Sequence, residues 1–514
     1  MLRNEPKQLS LSHSLLYSSI PENHILKRIN SAIDLSFVTD LLESSYNKYY
    51  GRPAKDPEMM LRILILKHLY NMSDQQVMEE LSMHMGFKWF VGLDLEDPLP
   101  ETSLLTKFRT QRLKDITVDT IIIEVVKQCV EKGLVERKNG VVIDATHIEA
   151  NTTKKFPERI MGELAEKIYK AKGQEKYEIP DYAKIKDHYV AKKIMKEFLE
   201  EVIDQAKEET AEEVVQAVKE AQNVLNSELF MEQKGIRSLA DQDARVGHKS
   251  KEQSFYGYKV ELCQTTDGSL ITSAIVAPGS YVDGVYFNEH IENTDKTGLN
   301  MTGVYGDKAY FRPDILDIIK EKEAEAFIPV SGSAYRINEE LFSYNKDSDQ
   351  WFCVQGNETV KVKAVTRERQ GEKEKLLEYT FEREHCRNCP HRSECMGKAK
   401  RVSRLLRISV NTPELYEYSQ RAKTPEFHAE YRKRAKIEPK NAELKRFHGL
   451  NRAKGFGLKS ISIQAKLTVL AVNLKRIAKM VSASNESITH FLCRFRDLLR
   501  ITHKMGTGAD FKAA

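Results

Sequence analysis

Long apolar runs are missing. No stretch approaches the roughly 18 uninterrupted apolar residues a membrane-crossing helix needs, and the opening MLRNEPKQLS lacks the apolar centre of a secretory leader. A soluble chain that stays in the compartment where it is made is expected. Cysteine is scarce as well: seven in 514 residues do not make a disulfide scaffold. Three of them crowd between Cys386 and Cys395, a pattern of metal ligation in a reducing cytosol. Disorder over the full length is excluded by a 41% hydrophobic content, which suffices for several cores, and the length calls for three or four structural units.

A large charge of one sign is also lacking, because the net +5 hides an uneven distribution. From Gly397 to Ala514, 26 Lys and Arg stand against nine Asp and Glu, so this tail carries +17 and everything before it −12. A concentrated positive surface suits a polyanionic partner such as nucleic acid, since neutralised phosphates release their counterions; the plainer reading is a solvated lysine-rich helix surface.

Residues 1–135 read as helical. Met59, Met60, Ile63, Leu64 and Leu66 recur at helical spacing, with Asp56 as the cap and Pro57 in the first turn. Ser73 and Gln76 have the spacing of a capping box, opening a helix through Val77, Met78 and Leu81 that Gly86 should end. Thr102 can cap a third helix, running through Leu105, Phe108, Arg109 and Leu113. Short helices joined by tight turns fit a helix-turn-helix that contacts DNA, and equally an ordinary helical domain.

The pattern then changes. Val141, Val142 and Ile143 form a short buried-strand signature ending in Asp144. Residues 154–235 are charged and helix-forming, with Ile194, Phe198, Val202 and Ile203 as the apolar face of an inserted helical hairpin. Strands return as an antiparallel hairpin, Tyr256 to Gln264 and Leu270 to Val276, about the turn Thr266-Asp267-Gly268. A helix from about Val285 to Thr294 precedes a strand, Met301 to Tyr305, that leads into Asp307; Pro313 opens the next helix, and Ala326 to Val330 reads as a further buried strand. Residues 331–400 are polar, with short strands near Gln350 to Val354 and Leu377 to Phe381. Ile463, Leu467, Leu470, Val472, Leu474 and Ile477 fit a long amphipathic helix, and the last residues read as frayed.

Two acids at strand ends, Asp144 and Asp307, are able to hold a hard cation such as Mg2+ or Mn2+, although acids there more often serve turns. In AEYRKRAKIEPKNAELKRF, the residues Tyr431, Arg434, Glu438 and Lys445 are separated by gaps of three, four and seven and would share one helix face, provided Pro439 begins a helix rather than kinking it. An acid among cations and a phenol suits a metal beside a phosphodiester; a surface salt-bridge ladder is the commoner fate of such a mixture.

These spacings carry a resemblance. The Tyr431, Arg434, Glu438 and Lys445 set is similar to the signature of bacterial insertion-sequence DDE transposases, and VVIDATHIEA and VYGDKAY resemble their first and second aspartate motifs. DQDARVGHKSKEQSFYGYKVEL, IVAPGSYVDG and the N-terminal DPEMMLRILILKHLYNMSDQQVMEEL also resemble segments of that family, so the likeness runs, with gaps, over most of residues 50–480.

The resemblance implies an α/β fold: an RNase H-like mixed sheet whose first and fourth strands are neighbours, here pieced from 136–153, 236–330 and 401–482. Around it would lie an all-α N-terminal DNA-binding domain (1–135), a helical insertion (154–235), a small cysteine-containing β-rich insertion (331–400) and a C-terminal helical tail (483–514). It further implies Asp144, Asp307 and Glu438 as Mg2+ (or Mn2+) ligands and catalytic triad, with Tyr431, Arg434 and Lys445 as accessory residues on the DNA; Glu443 is a local rival that does not fit the spacing. The implied activity is binding of terminal inverted repeats, metal-dependent strand cleavage and strand transfer to a target by a protein that is a homodimer on double-stranded DNA ends, cytoplasmic and nucleoid-associated. The alternatives are a catalytically inactive or domesticated DNA-binding relative and a stand-alone metal-dependent nuclease.

Cys353, Cys386, Cys389 and Cys395 would close a tetrahedral structural Zn2+ site, with His385 or His391 as substitutes for Cys353 and reduced, unligated thiols as the alternative. His147 and His248 stand near the aspartate motifs, and Asp241, Asp243 and Asp283 within the resembling segments, where packing or turn roles are the commoner explanation. Cys129, Cys263 and Cys493 read as core thiols.

Overall fold

The computed structural model describes residues 10–47, 53–232, 235–250, 252–369, 372–397 and 401–506, with side chains up to residue 482 of the last helix. The chain divides into two compact units. The first comprises Met1–Lys138, Asp144–Asn300 and Ile437–Ala514, the second Asn139–Ile143 and Met301–Lys436. Strand β1 (Lys138–Glu149) gives residues to both.

In the first unit, Asp56 accepts from the N–H of Glu58 and Pro57 opens the helix Pro57–Leu69, as the sequence suggests. The capping box of Ser73 and Gln76 is formed in both directions and starts the helix Asp74–Met83. Gly86 does not end it. The helix stops at Met83, Gly86 lies inside the next helix, Met85–Val91, and Gly92 supplies the left-handed termination at φ 75°. Thr102 is likewise the first residue of its helix rather than the cap; Glu101 occupies the cap position, without a side-chain bond.

The C-terminal helix, Leu458–Gly506, departs most from expectation. Every residue from Ile461 to Leu474 is buried, so this stretch is enclosed rather than amphipathic. It packs among the helices Ile25–Ala32, Pro57–Leu69 and Asp115–Glu131 and strand β4 (Ile271–Pro278). Burial of its polar residues is tolerated because each has a partner. Lys466 pairs with Asp119 at 2.5 Å, Thr468 Oγ1 lies 2.9 Å from His68 Nδ1, and Asn473 both accepts from the N–H of Ile271 (2.9 Å) and donates to its carbonyl (2.7 Å), acting as a strand partner for the start of β4. Of the last ten residues, expected to fray, Met505 and Gly506 still belong to this helix and 507–514 lie outside the described residues.

Strand β3 (Ser254–Thr265) pairs antiparallel with β2 (Arg245–His248) and β4, and borders β1 on its other side. Gly257 permits the β1–β3 approach: a Cβ there would stand 2.1 Å from the carbonyl oxygen of Ile148. The insertion holds three main helices, Pro157–Ala171, His188–Gln205 and Glu212–Leu225, rather than a hairpin. Its core includes Ile160, Met161, Leu164, Met195, Leu199 and Val214. The buried stripe of the middle helix is Ala191, Met195, Leu199 and Val202; Ile194 and Phe198 are only half-buried beside it.

In the second unit, β5 (Asn300–Tyr305) lies between β1 and β6 (Glu325–Phe327), parallel to β6, and the helix Pro313–Glu321 makes the crossover. The expected strand Ala326 to Val330 is cut short, since the N–H of Ile328 is taken by the Tyr418 hydroxyl (2.9 Å) and Pro329 has none to give. Two smaller sheets follow: the hairpin of β7 (Phe342–Asn345) and β8 (Gln350–Cys353), and a sheet of β9 (Thr359–Arg369), β10 (Glu372–Phe381) and β11 (Leu405–Ser409) with β10 central. The architecture is mixed α/β.

Candidate active site

Asp144 does not end its strand; β1 continues to Glu149 and leaves it half-buried in mid-strand. Opposite it, in the same unit, lies the helix Ile437–Arg446. Asn441 Nδ2 donates to Asp144 Oδ2 at 3.1 Å, and four residues on, Lys445 Nζ lies 3.1 Å from His147 Nδ1. Positions i and i+4 of a helix share a face, so two contacts one turn apart hold that face against β1. Glu438, three residues before Asn441, is exposed in the first turn on the same side.

Burial lowers His147 to about 4, helped by Lys445 and Lys249. Burial also lowers Lys445 to about 8; Lys249 adds to the effect, while Glu149 and Asp144 oppose it. Glu443 is committed elsewhere: it pairs with Lys475 at 2.8 Å and Lys440 at 3.2 Å.

The single helix expected from Tyr431 to Lys445 is broken. A helix Pro425–Tyr431 passes into a 3-10 turn, Arg432–Lys436, before Ile437–Arg446 begins with Pro439 in its first turn, where a missing N–H costs nothing. The tighter turn changes the phase, so the gaps of three and four from Tyr431 do not carry one α-helical face through to Glu438.

Tyr431, Arg434 and Asp307 belong to the second unit. Tyr431 stacks on Phe427 with ring centroids 6.4 Å apart. Asp307, half-buried just past β5, accepts from the N–H of Ala309 at 2.8 Å and caps the turn Lys308–Tyr310. Among the described residues, no group of three or more His, Cys, Asp or Glu side chains is gathered closely enough to hold a metal ion.

Other candidates have structural partners. Asp241 Oδ1 accepts from the N–H of Gly457 (3.1 Å) and from Tyr258, and Asp243 Oδ2 from the N–H of Leu458 (2.7 Å), so both acids sit on the N-terminus of the long helix. Asp283 pairs with Lys259 at 2.9 Å, and His248 is exposed at the end of β2. Cys129 and Cys263 are fully buried, Cys129 with its thiol pushed up to about 12 by burial; the side chain of Cys493 lies outside the described residues. Asn441 escaped the sequence reading, although its place three residues past Glu438 was a signal for it.

Two family models match the chain. A transposase domain, DUF772, covers residues 14–111, and a transposase DDE domain covers residues 352–478, which takes in Glu438 and leaves Asp144 and Asp307 outside. Together the two matches support an insertion-sequence DDE transposase. It is also similar to a solved structure described as a piggyBac transposase synaptic complex with hairpin DNA, at 9% identity and TM-score 0.30 over 92% of this chain and 76% of that one; a score so low has no bearing on the fold. Among the described residues, no helix is long and apolar enough to cross a membrane.

Proposed function

We propose that the chain is a cut-and-paste transposase that binds the terminal inverted repeats of its element, cleaves DNA in a Mg2+-dependent reaction and joins the ends to a target. The observation that carries this reading is the Asn441–Asp144 hydrogen bond, which sets the Glu438-bearing face of a late helix against the strand of the first aspartate. An RNase H-like core is supported by the strand neighbours: counting β1, β3, β4, β5 and β6 as first to fifth, the first is flanked by the second and the fourth.

Asp144, Asp307 and Glu438 are the carboxylates that would hold the metal. An all-carboxylate donor set is what Mg2+ or Mn2+ takes, and the buried Oδ1 of Asn441, without a hydrogen-bond partner, leaves polar capacity beside Asp144. Bound there, the ions would supply Lewis-acid activation and charge neutralisation for in-line displacement at phosphorus. The protein's own residues do the rest. Asn441 donates a hydrogen bond to the Asp144 carboxylate, and His147, neutral at physiological pH, sits beside the Lys445 amine. Lys445, Arg434 and Tyr431 would contact the DNA backbone near the cut, and the +17 tail would add non-specific affinity. Pairing two DNA ends would make the working form a homodimer, in the bacterial cytoplasm at the nucleoid.

Incubation of the purified protein with a labelled element end and a plasmid target tests this reading. Joined product is expected; binding alone or hydrolysis alone would replace the reading with an inactive relative or a nuclease. Asp307→Ala should abolish cleavage and keep DNA binding, and retained cleavage would remove Asp307 from the mechanism.

A further inference from the structure

The second unit holds four cysteines that transposition chemistry leaves unused. Cys353 closes β8, while Cys386, Cys389 and Cys395 lie in the connection from β10 to β11, Cys386 in the short helix Arg383–Arg387 and Cys395 in Arg392–Met396. Separated along the chain, these segments converge: all four thiols line one cavity of about 30 Å3, room for a single ion-sized body. None is joined in a disulfide.

The surroundings are those of thiolate ligands. The backbone N–H of Arg404 points at Cys386 Sγ (3.5 Å) and the side-chain amide of Asn357 at Cys353 Sγ (3.8 Å), the kind of outer donor that steadies a ligating sulfur. After Cys353 the chain folds back at once, with the N–H of Gly356, a left-handed residue, donating to the Cys353 carbonyl at 2.8 Å.

There is a mechanical reason for a cross-link as well. The core under these strands has seven buried side chains, Leu341, Phe342, Trp351, Tyr379, Phe381, Leu406 and Ile408, the scale at which small folds use metals or disulfides.

We propose that Cys353, Cys386, Cys389 and Cys395 bind one structural zinc ion as four thiolates, clipping the β7–β8 hairpin to the β10–β11 connection. On binding, the four thiols release their protons to solvent. The four sulfurs are not gathered closely enough to hold an ion as they stand, so binding with Zn–S bonds of about 2.3 Å would have to draw the two segments together. His385 and His391 also line the cavity and remain outside the ligand set.

The test uses the full chain and needs no DNA cleavage, so its outcome is separate from that of the transposase reading. Protein purified without added magnesium should carry about one zinc per chain, and Cys386→Ser with Cys389→Ser should lower this about tenfold or more. The wild-type chain reconstituted with cobalt should show the ligand-field bands of a tetrahedral thiolate site. The two tryptophans make a third readout, because Trp89 lies in the first unit and Trp351 in the second. In Trp89→Phe, removing zinc with a chelator should lower the urea midpoint reported by Trp351; in Trp351→Phe, the Trp89 transition should stay in place. Folded protein without zinc, zinc unchanged in the double variant, iron with sulfide in its stead, a disulfide among the four, or a Trp351 transition indifferent to chelation would each overturn the proposal.

Discussion

Around the helix Leu458–Gly506, every residue from Ile461 to Leu474 is removed from solvent, whereas the β-rich segment of the second unit rests on seven buried side chains. The first region affords its buried Lys466, Thr468 and Asn473 because each meets a partner inside a large apolar surround. The second places exposed valines on an outer strand, Val360 and Val362 of β9, and keeps its cysteines together at one end. Extensive burial stabilises the one; the other relies on fewer contacts and, with the proposed site filled, on a metal clip.

Truncation in the two cores is the hardest blow to this comparison. Leu470→Ala should destabilise the first unit by about 2–5 kcal/mol, toward the upper end because its surround is rigid and cannot collapse into the space. Leu406→Ala should fall toward the lower end, since the thin core beneath it relaxes more easily. Urea midpoints read separately from Trp89 and Trp351 check the pair, and equal losses would dissolve the contrast.

Acid titration sharpens the comparison further. Although burial pushes Asp74 up, hydrogen bonds from Arg109 and Lys67 hold it at about 2. A carboxylate held below its unfolded value stabilises the fold at pH above about 4 and loses that contribution as pH falls toward 2. The Trp89 transition should therefore weaken across that window, and Asp74→Asn should flatten the dependence while leaving the Trp351 transition untouched. The smallest effect is at a cap: Ser73→Ala removes one half of the capping box and should cost about 1 kcal/mol in the same Trp89 transition.

Local chemistry made much of the first unit legible. Asp56 with Pro57 and Ser73 with Gln76 announce helix starts because their side chains satisfy N–H groups within three residues. Helix and strand ends are less legible, whether the deciding neighbour is adjacent or distant in sequence. Gly86 was a plausible stop only until the helix Met85–Val91 claimed it, and the strand at Ala326 ended early because Tyr418 takes the next N–H. At the site, Glu438 and Lys445 stand out in the sequence as spaced charges and His147 by its nearness to the first aspartate motif, whereas Asn441 carries no such mark, since an amide declares a role only when something faces it.

By itself the sequence determined the helix starts at Asp56 and Ser73, the alternation of strand and helix segments, and the set of acids, cations and thiols available for chemistry, all of which depend on neighbours within a turn or a hairpin. Tertiary structure alone decided that the last long helix is enclosed, that Asp241 and Asp243 serve that helix while Asp144 meets Asn441, and that Glu443 is spent on Lys440 and Lys475. The physical reason is that a side chain's burial and charge environment are set by whatever packs against it, and the deciding partner can stand hundreds of residues away, as Asn441 does from Asp144.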